Sequence, residues 1–172
     1  MPSIRFSRPL QAVFLILMLA LHGCAVLEPE PDAADRRALS RARALWQRVG
    51  PSSYRYVYAR RCGECSPYAT RAAWVTVSRG LVVDAAYVEG NEPINEGPQA
   101  FGTVDSLFAL VQRAYDEHAA DVRVQYDATL GYPTDVWVDW RRDMADEEGG
   151  FSASALTPYA SVALSLRARQ SR

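Results

Sequence analysis

The chain has 172 residues, of which 49% are hydrophobic and 23% are charged, and its formal net charge is −1. Nucleic-acid-binding domains usually carry a strongly basic patch, so this charge balance argues against nucleic acid as a partner. Lysine is absent, and the 19 residues counted as basic are all arginine. Schiff-base chemistry and a lysine general base are therefore excluded.

The N-terminal segment has the layout of a secretory signal. Arg5 and Arg8 form a basic start, and an apolar run of about 12 residues ends at Leu21. The sequence Leu-His-Gly-Cys at 21–24 resembles the lipobox of bacterial lipoproteins, in which a small residue precedes a cysteine that is lipidated and becomes the first residue of the mature chain. His22 departs from the small or apolar residue usual at that place. There are two alternatives to the lipobox. One is an uncleaved membrane helix, which would need about 20 apolar residues to span a bilayer. The other is an ordinary signal peptide that is cut elsewhere.

Lipidation of Cys24 would fix where the protein works. Several acyl chains on one residue anchor a protein stably, since each buried CH₂ contributes about 0.8 kcal/mol. Ala25 follows the cysteine, not the aspartate that resembles an inner-membrane retention signal. We therefore expect an exported protein anchored in the outer membrane and facing the periplasm if the cell has two membranes. Because the removed segment holds two arginines and no acidic residue, the mature chain carries a formal charge of −3.

An amphipathic helix is predicted to follow Asp32, a suitable N-cap, and to stop at Gly50 and Pro51. One face is apolar at helical spacing: Ala38, Leu39, Ala42, Leu45, Trp46 and Val49. Five arginines lie mostly on the other face: Arg36, Arg37, Arg41, Arg43 and Arg48. Such a face is either merely solvated or in contact with anionic lipid headgroups, and the sequence leaves both interpretations open.

The pattern then changes to the alternation of strands. Residues 54–58 alternate with aromatic side chains on one face, and residues 73–77 and 81–83 form a hairpin through a turn at Arg79 and Gly80. Residues 89–102 are rich in glycine and proline and are predicted to be a long loop.

A second helix is predicted after Thr103, its N-cap. It has the strongest helical periodicity in the chain, at Val104, Leu107, Phe108, Val111, Ala114 and Tyr115. Residues 122–126 and 136–140 are predicted strands separated by a turn at 131–133. Residues 141–150 are polar and acidic, and residues 151–156 can form a last strand.

A helix followed by three strands thus occurs twice. This order predicts an α+β fold, an antiparallel sheet of about six strands with two helices packed on one face, in the order α-β-β-β-α-β-β-β. The domain organisation we expect is a lipoprotein signal peptide at 1–23, a proline-containing tether at 24–32, a single α+β domain at 33–160 and a C-terminal tail at 161–172.

Several short motifs carry a family resemblance. They are a strand followed by a cysteine pair, Thr-Val-Asp-Ser-Leu-Phe at 103–108, Val-Gln-Tyr-Asp at 124–127, Gly-Tyr-Pro-Thr at 131–134, and Asp-Glu-Glu at 146–148 before a strand. Over residues 46–157 the chain resembles the domain-of-unknown-function 6174 family of small bacterial lipoproteins. Two residues separate the cysteines here, whereas the family is associated with a tighter pair. The resemblance implies no activity and no functional residues.

Cys62 and Cys65 form the motif that most suggests reactive or metal-binding side chains. It has three interpretations. Nearby cysteines in an exported protein most often form a disulfide, which here would shape the loop after the first strand. A thiol–disulfide exchange role would need a cysteine at a helix N-terminus, whereas Pro67 and a β-type run follow. A zinc site would need further ligands. Covalent haem in its usual form is excluded because Ser66 stands where histidine is required.

The remaining candidates favour structural roles. His118, alone in the mature chain, is placed near the end of the second helix, where a cation suits the helix dipole. The acidic residues Asp139, Asp143, Asp146, Glu147 and Glu148 do not match a calcium-binding EF-hand loop. The aromatic side chains of the strands are predicted to lie in the core. The alternative is that some of them form one exposed interaction patch, for which the candidates are Tyr54, Tyr56 and Trp137.

The sequence therefore predicts a lipid-anchored envelope protein that is a non-catalytic binding or structural module. It contacts the membrane through Cys24 and has an envelope protein as a candidate partner. We expect no catalytic residues, metal or cofactor. The alternative is a thiol–disulfide exchange protein that uses Cys62 and Cys65.

Overall fold

The structure is a computed structural model that describes residues 32–94, 97–144 and 147–159. The predicted signal peptide, Cys24, all of the tether but Asp32, and the tail at 161–172 lie outside the described residues. The described residues contain two helices, one short 3₁₀ turn at Pro98–Ala100 and six strands. These are α1 (Ala33–Val49), β1 (Ser53–Cys62), β2 (Ala73–Ser78), β3 (Leu81–Tyr87), α2 (Val104–Asp116), β4 (Asp121–Tyr126), β5 (Pro133–Asp139) and β6 (Glu148–Pro158).

The six strands form one antiparallel sheet in the order β3-β2-β1-β6-β5-β4. Both helices pack on one face of it, which confirms the predicted α+β fold and element order. The central pair joins the two halves of the chain, because β1 pairs with β6 from Tyr54 opposite Pro158 to Cys62 opposite Gly149. β3 and β4 are the edge strands. We call the face opposite the helices the open face, since no described element covers it.

Two strands are longer than the alternation of their residues indicates. β1 continues to Cys62, and β6 begins at Glu148, inside the stretch predicted to be a polar loop. Each supplies the other with backbone hydrogen bonds over this extension. Pairing with a partner strand therefore sets these ends, and no pattern within one strand contains that information.

The core fills the space between the helices and the sheet. Trp46 of α1 lies in its centre, with its ring centroid 5.3 Å from that of Tyr54 and 6.4 Å from that of Tyr132, both edge-on. Large side chains buried to below 2% exposure come from both helices and from four strands: Leu39, Val104, Phe108, Val111, Tyr56, Val75, Val77, Val136, Val138 and Phe151. The chain from Ala34 onward is a compact unit of its own and contains this whole core.

Two arginines of α1 bind it to α2. The Arg36 guanidinium pairs with Asp116 at 2.8 Å and also donates to the backbone carbonyl of Tyr115. Arg43 donates to the Phe108 carbonyl at 3.0 Å. The hydrogen bond from Arg36 is the main reason that the pKa of the Asp116 carboxyl lies below its ordinary value. Two arginines of the predicted arginine-rich face, Arg36 and Arg43, therefore form contacts between the helices.

The β4–β5 turn is built by the residues of the family-like motif. The Asp127 carboxylate accepts hydrogen bonds from the backbone N–H groups of Thr129 and Leu130, at 2.9 and 2.7 Å. Gly131 adopts a φ of +84°, and a Cβ atom there would collide with the Ala42 carbonyl of α1. Tyr132 follows and is buried against Trp46. The motif therefore seats the turn on the first helix.

The start of α2 and the end of α1 lie where the sequence predicts them. The Thr103 hydroxyl accepts a hydrogen bond from the Ser106 backbone N–H at 3.3 Å, so Thr103 is the N-cap of α2. Gly50 follows the last residue of α1 and donates its N–H to the Trp46 carbonyl. Among the described residues, neither helix is long and apolar enough to cross a membrane.

Candidate functional site

The three aromatic candidates separate into two environments. Tyr54 and Tyr56 are 3% and 0% exposed and point into the core beneath the helices, so the prediction that they belong to an interaction surface is wrong. Trp137 alternates with the buried Val136 and Val138 of β5 and lies, half-buried, on the open face. Only Trp137 of the three remains a candidate for recognition.

The two tyrosines instead hold the start of α2. The Tyr54 hydroxyl accepts a hydrogen bond from the Val104 backbone N–H at 2.8 Å, and the Tyr56 hydroxyl donates to the Gly102 carbonyl at 2.5 Å. The Val104 N–H is one of the N–H groups that a helix N-terminus leaves without helical partners, and Gly102 directly precedes the N-cap. Burial raises the pKa of Tyr54 to about 12 and also raises the pKa of Tyr56. Both hydroxyls therefore remain protonated hydrogen-bonding groups at neutral pH.

Trp137 lies between two arginines on the open face. The guanidinium carbons of Arg61 and Arg123 lie 5.7 and 6.0 Å from its ring centroid, within the range of cation–π attraction. Arg61 also pairs with Asp135, two residues before Trp137 on the same face. Arg123 pairs with Asp121 at 3.0 Å. The indole ring of Trp137 is therefore flanked by the side chains of Arg61 and Arg123, which are themselves partly exposed.

A glycine on β6 allows this arrangement. Arg61 lies on β1 and Asp135 on β5, with β6 between them. Gly150 stands opposite both Arg61 and Trp137 in the register and therefore lies on the same face. Since Gly150 has no side chain, Arg61 can reach across β6 to Asp135 and the indole. A Cβ atom on Gly150 would also collide with the Val136 carbonyl oxygen.

A groove of about 720 Å³ runs along the edge strand β4 and reaches both faces of it. On the open face it is lined by Arg61, Arg123, Gln125, Asp135 and Trp137, and on the helix side by Asp35, Ala38, Tyr115, Val122, Val124 and Tyr126. The Tyr126 hydroxyl is buried and has no hydrogen-bond partner among the described residues. The groove thus combines an aromatic ring, charged hydrogen-bonding groups and the outer edge of a sheet.

Sequence reasoning missed Arg61, Arg123, Gln125 and Asp135 as members of a site. A signal was present for two of them, because Arg123 and Gln125 alternate along the predicted strand with the valines that face the core. Position parity places such residues on the same face as Trp137. Arg61 and Asp135 had no such signal, since the prediction ended β1 at residue 58 and began β5 at residue 136.

The Cys62 and Cys65 sulfur atoms lie at disulfide distance, with their Cα atoms 5.6 Å apart. Cys62 is the last residue of β1, and a turn without a helix follows Cys65. A thiol here is therefore not placed at a helix N-terminus, whose dipole would lower its pKa. The surroundings of the pair are those of a strand-end loop.

The other candidate residues lie apart from one another. His118 is exposed just beyond α2, with a φ of +56°, and its backbone N–H bonds the Tyr115 carbonyl. Asp139 accepts a hydrogen bond from the Arg141 backbone, and Asp143 pairs with the Arg141 side chain. Asp146 lies outside the described residues. Within the described ranges, no three His, Cys, Asp or Glu side chains come close enough to hold a metal ion.

Comparison with known proteins gives one match. A family model described as "Family of unknown function (DUF6174)" matches residues 38–158, which is most of the chain and nearly all of the described fold. No curated protein and no solved structure matches significantly.

Proposed function

We propose a function from the residues of this chain itself, because the chain belongs to DUF6174, a family of unknown function. On this proposal, the protein is anchored by lipid in the bacterial cell envelope and is acylated at Cys24. Its domain is a non-catalytic module that binds an envelope protein partner through the groove around Trp137.

The anchor is supported by the sequence before the domain. A basic start, an apolar run and Leu-His-Gly-Cys at 21–24 occur in the order that a lipoprotein signal requires. Only eight residues separate Cys24 from the first residue of α1, and two of them are prolines. Such a tether would hold the domain close to the membrane surface but clear of it.

The proposal that the domain is a binding module is supported chiefly by one observation. This is the groove that joins Trp137 to the outer edge of β4. Tryptophan and arginine are the residues on which protein interfaces most depend. An edge strand offers unpaired backbone groups to an extended segment of a partner. Together these features favour a protein partner over a small apolar ligand.

The alternative function, thiol–disulfide exchange by Cys62 and Cys65, has less support. The pair ends a strand and does not begin a helix. We propose instead that it is a structural disulfide that closes the loop after β1. A redox-active pair is usually placed at a helix N-terminus, and among the described residues no helix begins at Cys62 or Cys65.

Intact-mass measurement of the membrane-extracted protein tests the anchor and the disulfide together. The expected species begins at Cys24, carries acyl chains, and is alkylated at Cys62 and Cys65 only after reduction. A chain that retains residues 1–23 without acylation would refute the anchor. Ready alkylation without prior reduction would refute the structural disulfide and revive thiol exchange.

A further inference from the structure

Three arginines of α1 form an exposed basic stripe, which we call the arginine stripe: Arg37, Arg41 and Arg48. At about 100° per residue, their Cα positions fall within about 40° of one another around the helix axis. The buried residues of α1 lie on the opposite side of the helix. The stripe therefore points directly away from the core and extends for about 16 Å along the helix.

The structure divides the five arginines of α1 into two groups. Arg36 and Arg43 lie to one side and are occupied by α2. The three stripe arginines make no side-chain hydrogen bond or ion pair within the described residues, and each is exposed. Asp35, the single acidic residue of α1, lies about 140° around the helix from the stripe. The charge of the stripe is therefore not neutralised by a neighbour on its helix.

We propose that the arginine stripe docks on the anionic lipid headgroups of the membrane that carries the anchor. This inference rests on the proposed acylation at Cys24. From that residue the chain can extend at most about 30 Å before α1 begins, so the stripe stays within reach of the bilayer. Each arginine near an anionic surface strengthens binding by about fivefold, and three strengthen it by about 100-fold.

Docking through the stripe would also orient the domain. The helices cover one face of the sheet, and Trp137 lies on the other. With α1 against the lipid, the open face points away from the membrane and the groove remains accessible to a partner. Because arginine remains charged throughout the accessible pH range, this orientation does not depend on pH but weakens as salt screens the charges.

Vesicle partitioning of the non-lipidated mature chain tests the stripe separately from the anchor. Residues 24–172 with Cys24→Ser keep the whole core, which lies in the unit from Ala34 onward. Partitioning is measured at low ionic strength into phosphatidylcholine vesicles, with and without phosphatidylglycerol. We expect binding that requires phosphatidylglycerol and that falls roughly 100-fold in the triple variant R37Q/R41Q/R48Q. Its melting temperature should equal that of the parent, since the stripe side chains make no hydrogen bond or ion pair with any residue that the structure describes.

Two control variants change the net charge equally at other places. R79Q/R113Q/R141Q removes exposed arginines elsewhere on the domain, and R167Q/R169Q/R172Q removes those of the tail. Both should bind as the parent does.

Three results would overturn the proposal: no preference for phosphatidylglycerol, unchanged binding of the stripe variant, or an equal loss in either control. The anchor is judged apart from this, by the intact mass of the membrane-extracted protein. An unacylated chain with stripe-dependent binding would refute only the anchor.

Discussion

Replacing Gly131 by alanine should destabilise the domain far more than the same change in an open turn. Gly131 has a φ of +84°, and a Cβ there would overlap the Ala42 carbonyl oxygen and lie 3.0 Å from the Leu45 Cβ and 3.1 Å from the Trp46 nitrogen. Two of these atoms belong to the helix backbone, which cannot move by a change of rotamer. The turn or the whole of α1 must shift instead.

Gly80 provides the matched control, because it has a φ of +78° and nothing within 4 Å of its would-be Cβ. Both changes share the cost of a left-handed alanine, about 1–2 kcal/mol, and the small gain from a stiffer unfolded chain. Gly131→Ala adds overpacking, which costs about 1–3 kcal/mol. The difference between the variants should therefore be about 1–3 kcal/mol.

Urea denaturation followed by tryptophan fluorescence measures this difference directly. Equal free energies of unfolding for Gly131→Ala and Gly80→Ala would refute the close packing of the β4–β5 turn on α1. The result also bears on the family-like motif. A large loss would show that Gly-Tyr-Pro-Thr at 131–134 serves the packing of the fold.

Three further predictions concern the cysteines, the open face and alkaline pH. Replacing Cys62 and Cys65 by serine should cost at most about 2 kcal/mol, since the proposed disulfide closes a very short loop. Trp137→Ser should cost about 1–2 kcal/mol because the ring is half-buried, whereas Phe151→Ala should cost about 3–5 kcal/mol. Tyr54 ionises near pH 10 when unfolded but only near pH 12 when folded, so this residue alone should lower the free energy of unfolding by about 1.4 kcal/mol per pH unit between these values, in addition to the share of the other buried tyrosines.

Each of these predictions has a control or a contradicting outcome. Chemical denaturation with and without reductant gives the cysteine value, and global unfolding on reduction would contradict it. Unfolding of the Trp137 variant would mark a core position and remove the residue from the proposed groove. For the alkaline effect, Tyr54→Phe should reduce the slope by about 1.4 kcal/mol per pH unit while costing about 1–3 kcal/mol at neutral pH, since the Val104 N–H loses its acceptor. An unchanged slope would show that other tyrosines are responsible.

Much of the fold was predictable because most helices and strands have a recognisable pattern within their own stretch of sequence. The apolar spacing from Val104 to Tyr115 and the cap at Thr103 specify α2 within one stretch of chain. Parity specifies the face of Trp137, since Val136 and Val138 on either side must share the core. These signals depend only on neighbours within a few residues.

The misassigned residues are those whose environment depends on distant elements. Tyr54 and Tyr56 alternate with residues that are themselves partly apolar or long, so the strand alone does not show which face the helices will cover. Trp74, another aromatic residue of the strands, lies on the open face under the guanidinium of Arg55, 4.4 Å from its ring centroid. The choice of face is made by the packing of the whole sheet.

The sequence by itself determined the element types, their order and the amphipathic character of α1, because helix and strand periodicities are local properties. Only the tertiary structure decided which arginines of α1 are free, since the contacts of Arg36 and Arg43 exist only when α2 packs beside them. It also decided the groove, because Arg61 meets Asp135 and Trp137 only after β1 and β5 pair on either side of β6. Such contacts join residues more than 70 positions apart, a distance over which no local pattern carries information.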